Sequence, residues 1–230
     1  MPSSEPPRPD DPRARAARTK RDRTRRALLD AADATFGSRG WARTRIEDVA
    51  AAAGVSAATA YNHFPSKHSL VGHVFAPLVT SLVVQAERDA RAERPVVDAL
   101  EDQVRALARI THRHRSLTSA FFCAVQDYTI RVGGAAQPQD EVDPRTLVPL
   151  PDAVRILVEH GQRSGELRGY PSADDVSRMV ANLLLTRAVN QPDEPPDARA
   201  ELLLTVIVGM LRPELLTNGG TALRPFSRPR

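Results

Sequence analysis

A short stretch of the chain gathers hydroxyl, amide and cationic side chains of the kind that bind phosphate groups and base edges. It runs from Thr44 to Lys67 and reads TRIEDVAAAAGVSAATAYNHFPSK. Hydroxyls and helix N-termini bind phosphate oxygens, whereas arginine and asparagine can also pair with bases. The chemistry that these residues favour is recognition of nucleic acid. The contacts that we predict are Thr44, Arg45, Ser56, Ala57, Ala58, Thr59, Tyr61, Asn62, His63 and Lys67.

No comparable set of residues indicates catalysis. His112 and His114 are two residues apart, which places them on different helix faces, and His68 and His73 have a poor spacing for a metal. Cys123 is the only cysteine, so no internal disulfide can form, and its apolar neighbours favour a core position over a nucleophile. The sequence also lacks a glycine-rich phosphate loop. We therefore predict no enzyme activity, no metal and no cofactor.

Two short helices joined by a glycine-containing turn are predicted to position the polar residues. Thr44 and Glu47 have the spacing of a capping box at the start of the first helix. Gly54 falls where a left-handed residue would end that helix, and Ser56 can cap the second. In a helix-turn-helix, the first helix braces the second, which enters the major groove of DNA.

This stretch resembles the DNA-binding region of TetR-type regulators. The resemblance is carried by the GVS turn, by Thr59 and Tyr61, by the HFPSK ending and by Gly40-Trp41 ahead of the helices. It implies an all-α fold, with an N-terminal three-helix helix-turn-helix domain followed by a C-terminal helical domain for ligand binding and dimerisation. It also implies a repressor that binds a palindromic operator as a dimer and is released by a small apolar or aromatic ligand. The single cysteine fits a cytoplasmic location.

Each predicted DNA contact has an alternative role. Thr44 can cap a helix as well as bind phosphate, Arg45 can be simply solvated, and the Tyr61 ring can pack in the core instead of placing its hydroxyl on the DNA backbone. Packing is the favoured role for His63. Lys67, in the first turn of the next helix, is expected to meet a phosphate.

The start of the second helix is unusually apolar for a base-reading surface. Ala57 and Ala58 stand where TetR-type regulators often have a longer polar residue, and their methyl groups can contact only thymine methyls. Direct readout is therefore expected to depend more on Arg45, Thr59 and Asn62.

The positive charge of the chain is confined to its front. Residues 1–67 hold 13 Lys/Arg and 8 Asp/Glu, a net charge of +5, whereas residues 68–230 have a net charge of −1. This asymmetry favours an anionic partner, DNA or a membrane surface, although a solvated basic tail would look the same. We predict a disordered arm over residues 1–20 that attracts DNA nonspecifically or enters the minor groove. The cations that we assign to this arm and the start of the first helix are Arg13, Arg15, Arg18, Lys20, Arg21, Arg23, Arg25 and Arg26.

The rest of the chain reads as amphipathic helices, with Pro77 expected to kink or split one of them. We predict a helix-turn-helix domain over 21–68, a regulatory and dimerisation domain over 69–215 and a flexible tail over 216–230. No segment has the roughly 18 consecutive apolar residues of a membrane span.

The last two helices, near 172–190 and 197–213, are too apolar for burial on one side only, so they favour a dimer over interior helices of a monomer. Candidate interface residues are Val180, Leu184, Leu203, Ile207 and Met210.

The TetR resemblance implies a ligand pocket, for which candidates are Phe121, Phe122, Val125, Gln126, Tyr128 and Asn182; ordinary core packing is the alternative for each. A nonspecific chromosome-binding protein without an inducer is the alternative function.

Overall fold

The structure, a computed structural model, describes residues 12–137 and 139–211, and all its regular elements in those ranges are helices. The all-α prediction is confirmed. The helices are α1 (Pro12–Arg43), α2 (Ile46–Ala52), α3 (Ala57–His63), α4 (Lys67–Arg91), α5 (Val96–Arg113), α6 (Arg115–Val132), α7 (Pro144–Leu147), α8 (Asp152–Ser164), α9 (Ala173–Asn190) and α10 (Pro196–Leu211).

Helix α1 begins earlier than the apolar pattern indicates. Its buried positions start at Leu28 and continue through Ala32 and Phe36, but the helix extends back to Pro12. The part of the predicted disordered arm that lies within the described residues is therefore helical, while residues 1–11 lie outside them. Near its other end α1 is interrupted at Gly40, which has φ 70° and ψ −178°, a backbone conformation that glycine adopts without strain.

Helix α4 is continuous through Pro77, so the proline does not split it. Among the described helices, α4 is long and apolar enough to cross a bilayer, judged by length and composition alone. The sequence analysis predicts no membrane-spanning segment. Core helices of water-soluble proteins meet the same criterion. In this fold α4 buries Leu70, Val71 and Phe75, as a core helix does.

The chain divides into two compact units, and α4 contributes to both. The first unit contains residues up to Leu78 together with His114–Val148. In it, α1 packs against α2 and α6, α3 packs against α2, and α7 packs against α6. The rings of Phe75 and Phe121 stack with centroids 4.6 Å apart. The predicted helix-turn-helix region thus shares a unit with α6 and α7, which the sequence pattern placed in a later domain.

The second unit contains the remainder of α4, from Val79, with α5, α8, α9 and α10. Helix α5 packs against the other three complete helices, and its buried side chains recur at helical spacing along one broad face. Arg199 is 1% exposed here. Its guanidinium donates to the Glu194 carboxylate, the Thr111 hydroxyl and the Gln191 carbonyl, so its charge is paired and each of its three nitrogens donates a hydrogen bond. The predicted tail over 216–230 lies outside the described residues.

Candidate nucleic-acid interface

Helices α2 and α3 form the helix-turn-helix. Gly54 follows α2 with φ 69°, and the N–H of Val55 donates to the Ala50 carbonyl at 2.9 Å, which closes the turn. Ser56 then caps α3, because its hydroxyl accepts a hydrogen bond from the Thr59 N–H at 3.2 Å. The left-handed glycine and the serine cap are where the sequence predicts them. They set the direction in which α3 leaves the turn.

The start of α2 differs from the prediction. Arg45, not Thr44, is the N-cap residue, and its N–H donates to the Asp48 carboxylate at 3.3 Å. Thr44 is buried, and its hydroxyl donates to the Gly40 carbonyl at 2.7 Å. The expected capping pair is thus shifted by one residue, and the Thr44 hydroxyl closes the loop between α1 and α2 instead of facing solvent.

Lys67 is also turned toward this loop. Its ammonium donates to the carbonyls of Trp41 and Thr44, at 3.0 and 3.1 Å, and lies 4.0 Å from the centre of the Trp41 ring. Partial burial lowers the pKa of Lys67. The structure therefore gives this lysine internal partners, whereas the sequence predicts a phosphate contact.

The solvent-facing side of α3 is formed by Ala58, Tyr61 and Asn62, which stand at i, i+3 and i+4 and are exposed. Ser56 is exposed ahead of them, and Ala57 is half-buried. The opposite side buries Ala60 against the unit's core. A single face of α3 thus presents one hydroxyl, one amide and the methyl group of an alanine, which is a small set of groups for reading base edges.

An acidic residue faces this surface. The Tyr61 hydroxyl donates to the Glu47 carboxylate at 2.9 Å, and the Arg45 guanidinium lies 3.7 Å from the same carboxylate. The bond of the Glu47 carboxylate to its own backbone N–H, followed by the bond from the Tyr61 hydroxyl, lowers the pKa of Glu47. The hydrogen bond between Tyr61 and Glu47 raises the pKa of Tyr61. The Tyr61 hydroxyl would have to leave Glu47 before it could donate to a phosphate.

The C-terminal end of α3 lies beside basic residues of α1. The Arg25 guanidinium stacks over the Phe64 ring at 4.5 Å, and Phe64 is the residue that ends α3. Burial, then the charges of Arg21 and Arg25, lower the pKa of His63. His63 is half-buried and its ring lies 6.4 Å from that of Phe64, so its surroundings match the packing role. The proximity of α1 cations to α3 could not be read from the sequence.

The predicted ligand residues do not form one group. Phe121, Phe122, Val125, Gln126 and Tyr128 lie in the first unit, whereas Asn182 lies in the second. Phe121 is buried in the stack with Phe75, and the Tyr128 hydroxyl donates to the Asp140 carboxylate at 2.5 Å, which raises the pKa of Tyr128 to about 12. Gln126 and Asn182 are exposed.

One buried amide was not singled out by the sequence. Gln103 on α5 is 2% exposed, and its carbonyl oxygen Oε1 has no hydrogen-bond partner in the part of the chain that the structure describes. A buried acceptor without a partner is unfavourable unless water or a ligand satisfies it. Its sequence signal is weak, a single glutamine among apolar residues of an amphipathic helix. No group of three or more His, Cys, Asp or Glu residues within the described ranges could hold a metal.

The predicted dimer residues are mostly used inside the chain itself. Val180, Leu184, Leu203 and Ile207 are buried in the second unit, and Met210 is half-buried. The exposed apolar side chains of these helices are different ones. Met179 on α9 is 41% exposed and Leu202 on α10 is 36% exposed.

Comparisons with known proteins agree with this architecture. Residues 28–74 match the family model described as bacterial regulatory proteins, tetR family. An HTH-type transcriptional repressor of Mycobacterium tuberculosis is 37% identical over 91 residues, which cover 40% of this chain and 48% of that protein. The HTH-type transcriptional repressor KstR2 of Rhodococcus jostii is 33% identical over 93 residues, or 38% of this chain and 43% of that protein. The chain thus aligns with about half the length of these curated relatives.

The crystal structure of Thermus thermophilus FadR, a TetR-family transcriptional repressor in complex with lauroyl-CoA, superposes with a TM-score of 0.65 at 24% identity. The match covers 85% of this chain and 100% of that one, so the two share a fold. The matched residues 28–74 run from the packed part of α1 to the start of α4 and include α2, the turn and α3, where the geometry is that of a helix-turn-helix. Residues 28–74, which contain this helix-turn-helix, are therefore similar to the DNA-binding region of the tetR family of bacterial regulatory proteins.

Proposed function

We propose that the protein is a transcriptional repressor that binds a palindromic operator as a homodimer in the cytoplasm and acts by binding alone, without catalysis. The observation that carries the proposal is the exposed face of α3, with Ala58, Tyr61 and Asn62 on one side of a helix held by a glycine turn and a serine cap. This face has the size and position of a recognition helix in the major groove. Arg45, at the start of α2, supplies an exposed cation beside it.

The contacts proposed for DNA follow from exposure. Asn62 would pair with a base edge, Tyr61 and Arg45 would bind phosphate, and Ala57 and Ala58 would contact thymine methyls. Ser56 and Thr59 would approach the backbone at the N-terminus of α3. Thr44 and Lys67 would contribute to DNA binding indirectly, because they fix the loop between α1 and α2. His63 would contribute by packing at the C-terminal end of α3.

The experiment that tests the function is selection of bound fragments from genomic DNA, followed by footprinting. We expect a short palindrome to be protected. Asn62→Ala should weaken binding to that site by about 1–3 kcal/mol, the usual contribution of a good amide–adenine pair. Gln126→Ala is the matched control, because it removes an exposed amide from α6 instead. Equal protection of all duplexes of the same length would favour the nonspecific chromosome-binding alternative.

The exposed side chains of α9 and α10 support the proposed dimer. On α9, Met179, Leu183 and Thr186 are spaced by four and three residues, and on α10, Leu202, Thr205 and Val206 by three and one. Each set forms one helical face that the chain itself leaves exposed or half-exposed. A second copy of this unit would bury both apolar stripes.

The dimer is tested by Met179→Glu combined with Leu202→Glu. Because both side chains are exposed in the single chain, the variant should keep its helical circular dichroism but sediment as a monomer. Glu201→Gln is the control, since it changes the charge of the residue next to Leu202 without touching the apolar stripe. A double variant that remains dimeric would remove this surface from the interface.

Release by a small ligand is proposed for the second unit, where Gln103 would provide the polar contact in apolar surroundings. Lauroyl-CoA, which occurs in the FadR complex, is a suitable first probe. We expect an acyl ligand to raise the unfolding temperature and reduce operator affinity, and Gln103→Leu to weaken both effects. Ligand binding that is indifferent to Gln103→Leu would place the polar contact elsewhere.

A further inference from the structure

The N-terminal part of α1 is longer than its packing requires. The first buried residue of the helix is Leu28, whereas the helix begins at Pro12. We call residues 12–24 the N-terminal extension. We propose that the N-terminal extension is a rigid helical arm that binds phosphates of the duplex outside the half-site read by α3. This inference rests on the proposed function and goes beyond it, because it adds a DNA surface separate from the helix-turn-helix.

The charge of the N-terminal extension is almost entirely positive. It carries six cations and one acid, Asp22. At 100° per residue the cations point to all sides of the helix, and every one of them is exposed. A helix that is charged all round has no apolar face to bury against protein, so a polyanion is the partner that its composition fits. The cations are Arg13, Arg15, Arg18, Lys20, Arg21 and Arg23.

The base of the N-terminal extension is fixed to the end of the recognition helix. Arg25, one residue beyond it, stacks on Phe64 at 4.5 Å, and Phe64 is the C-cap of α3. Burial, followed by the charge of Arg21 on the extension, lowers the pKa of the His63 ring, so Arg21 lies near the end of α3. When α3 lies in the major groove, the extension would therefore start beside the end of α3 that carries the exposed Tyr61 and Asn62. This position favours duplex DNA as the partner over an acidic protein or a lipid surface.

The geometry also sets the reach of the extension. From Arg25 to Pro12 the helix advances by about 20 Å at 1.5 Å per residue. This length equals about six base pairs along a duplex with 3.4 Å per step. Since α1 has no interruption before Gly40, the arm would meet the same phosphates in every complex. An arm without helical structure would instead sample many positions.

The first test changes charge. A variant with Arg18, Lys20, Arg21 and Arg23 all changed to Gln is compared with a control in which Arg88, Arg91, Arg163 and Arg178, exposed residues of the second unit, are changed to Gln. Operator affinity is measured from 50 to 300 mM salt, on duplexes with two or eight base pairs flanking each half-site. We expect the first variant to reduce the slope of log K against log salt by about 0.9 for each phosphate that is no longer neutralised. The same variant should bind long-flank and short-flank duplexes equally well, and the control should match the wild type.

The second test breaks the helix and keeps the charge. Ala17→Pro interrupts the extension at an exposed position, with Ala17→Ser as the control. If the arm must be rigid, the proline variant should shift toward the slope and flank dependence of the glutamine variant. The rigid arm would be overturned in favour of a flexible one if the proline variant had the salt slope and flank dependence of the wild type while the glutamine variant did not.

The remaining outcomes separate this inference from the proposed function. Unchanged slope and flank dependence in the glutamine variant, with a palindrome still protected, would show that the extension does not touch DNA and would leave the repressor proposal intact. A wild-type protein that binds all duplexes of equal length equally well would reject the repressor proposal itself.

Discussion

Replacing Lys67 with alanine separates a structural role from a DNA contact. In the structure the Lys67 ammonium joins the carbonyls of Trp41 and Thr44 and covers the Trp41 ring. Lys67→Ala removes all three interactions. It also leaves two carbonyls of the α1–α2 loop without the donor that holds them together.

The expected loss of stability follows from these interactions. A hydrogen bond to a charged group contributes roughly 1.5–3 kcal/mol and a partly exposed cation–π contact roughly 0.5–1 kcal/mol. Burial of the ammonium, which lowers the pKa of Lys67, offsets part of this gain. We expect Lys67→Ala to lower the free energy of unfolding by about 2–4 kcal/mol, or the melting temperature by about 4–16 °C for a chain of this size.

The assay is urea unfolding followed by circular dichroism, paired with operator binding at a temperature where the variant is fully folded. Tyr61→Phe is the matched comparison, because its hydroxyl bonds the exposed Glu47 carboxylate. It should weaken DNA binding with little change in stability. Wild-type stability combined with abolished operator binding in Lys67→Ala would refute the reasoning and return this lysine to a phosphate contact.

Three further changes test other parts of the fold. The Tyr128 phenol should deprotonate near pH 12, which an ultraviolet absorbance step would show and Tyr128→Phe would abolish. Because folding raises the pKa of Tyr128, this group stabilises the fold below pH 10, and the effect disappears as the pH rises through 12. A step for Tyr128 near pH 10 would contradict its bond to Asp140. Arg199→Met should destabilise the second unit by about 3–5 kcal/mol in urea unfolding. The change deprives Glu194 of one of its two arginine partners and removes the guanidinium that donates to the buried Thr111 hydroxyl. An unchanged unfolding midpoint would show that these groups find other partners. Gly161→Ala should lower the melting temperature, since a Cβ there would lie 2.7 Å from the Leu167 side chain. Gly37→Ala should not, because a Cβ at Gly37 would meet no other part of the described chain within 4 Å, apart from the adjacent residues and the helix's own backbone.

The helix-turn-helix could be predicted in detail because its signals are local. The left-handed position of Gly54 and the cap of Ser56 each depend on a few neighbouring residues. The cap of α2 could not be fixed as well, since Thr44 and Arg45 are both compatible with the pattern. A tertiary contact, the Thr44 hydroxyl on the Gly40 carbonyl, decides between them.

Two other features depend on long-range packing and were therefore predicted less well. The hydrophobic pattern of α10 runs nearly all round the helix, so it does not show that Leu203 and Ile207 face inward while Leu202 faces out. The N-terminal extension has no apolar period at all, yet it is helical as a continuation of the packed part of α1. Composition alone favours disorder for such a segment.

The Glu47 carboxylate beside Tyr61 has a consequence for how the protein would search a chromosome. Two acids, Glu47 and Asp48, lie in the first turn of α2 at the edge of the surface that would read bases. Each acid already has an arginine beside it, Arg45 at Glu47 and Arg39 at Asp48, so a phosphate must compete with these carboxylates for its cations and for the Tyr61 hydroxyl. Encounters with unrelated sequences should therefore be brief. Only a site whose contacts compensate for separating Tyr61 from Glu47 would hold the protein long enough to block a polymerase.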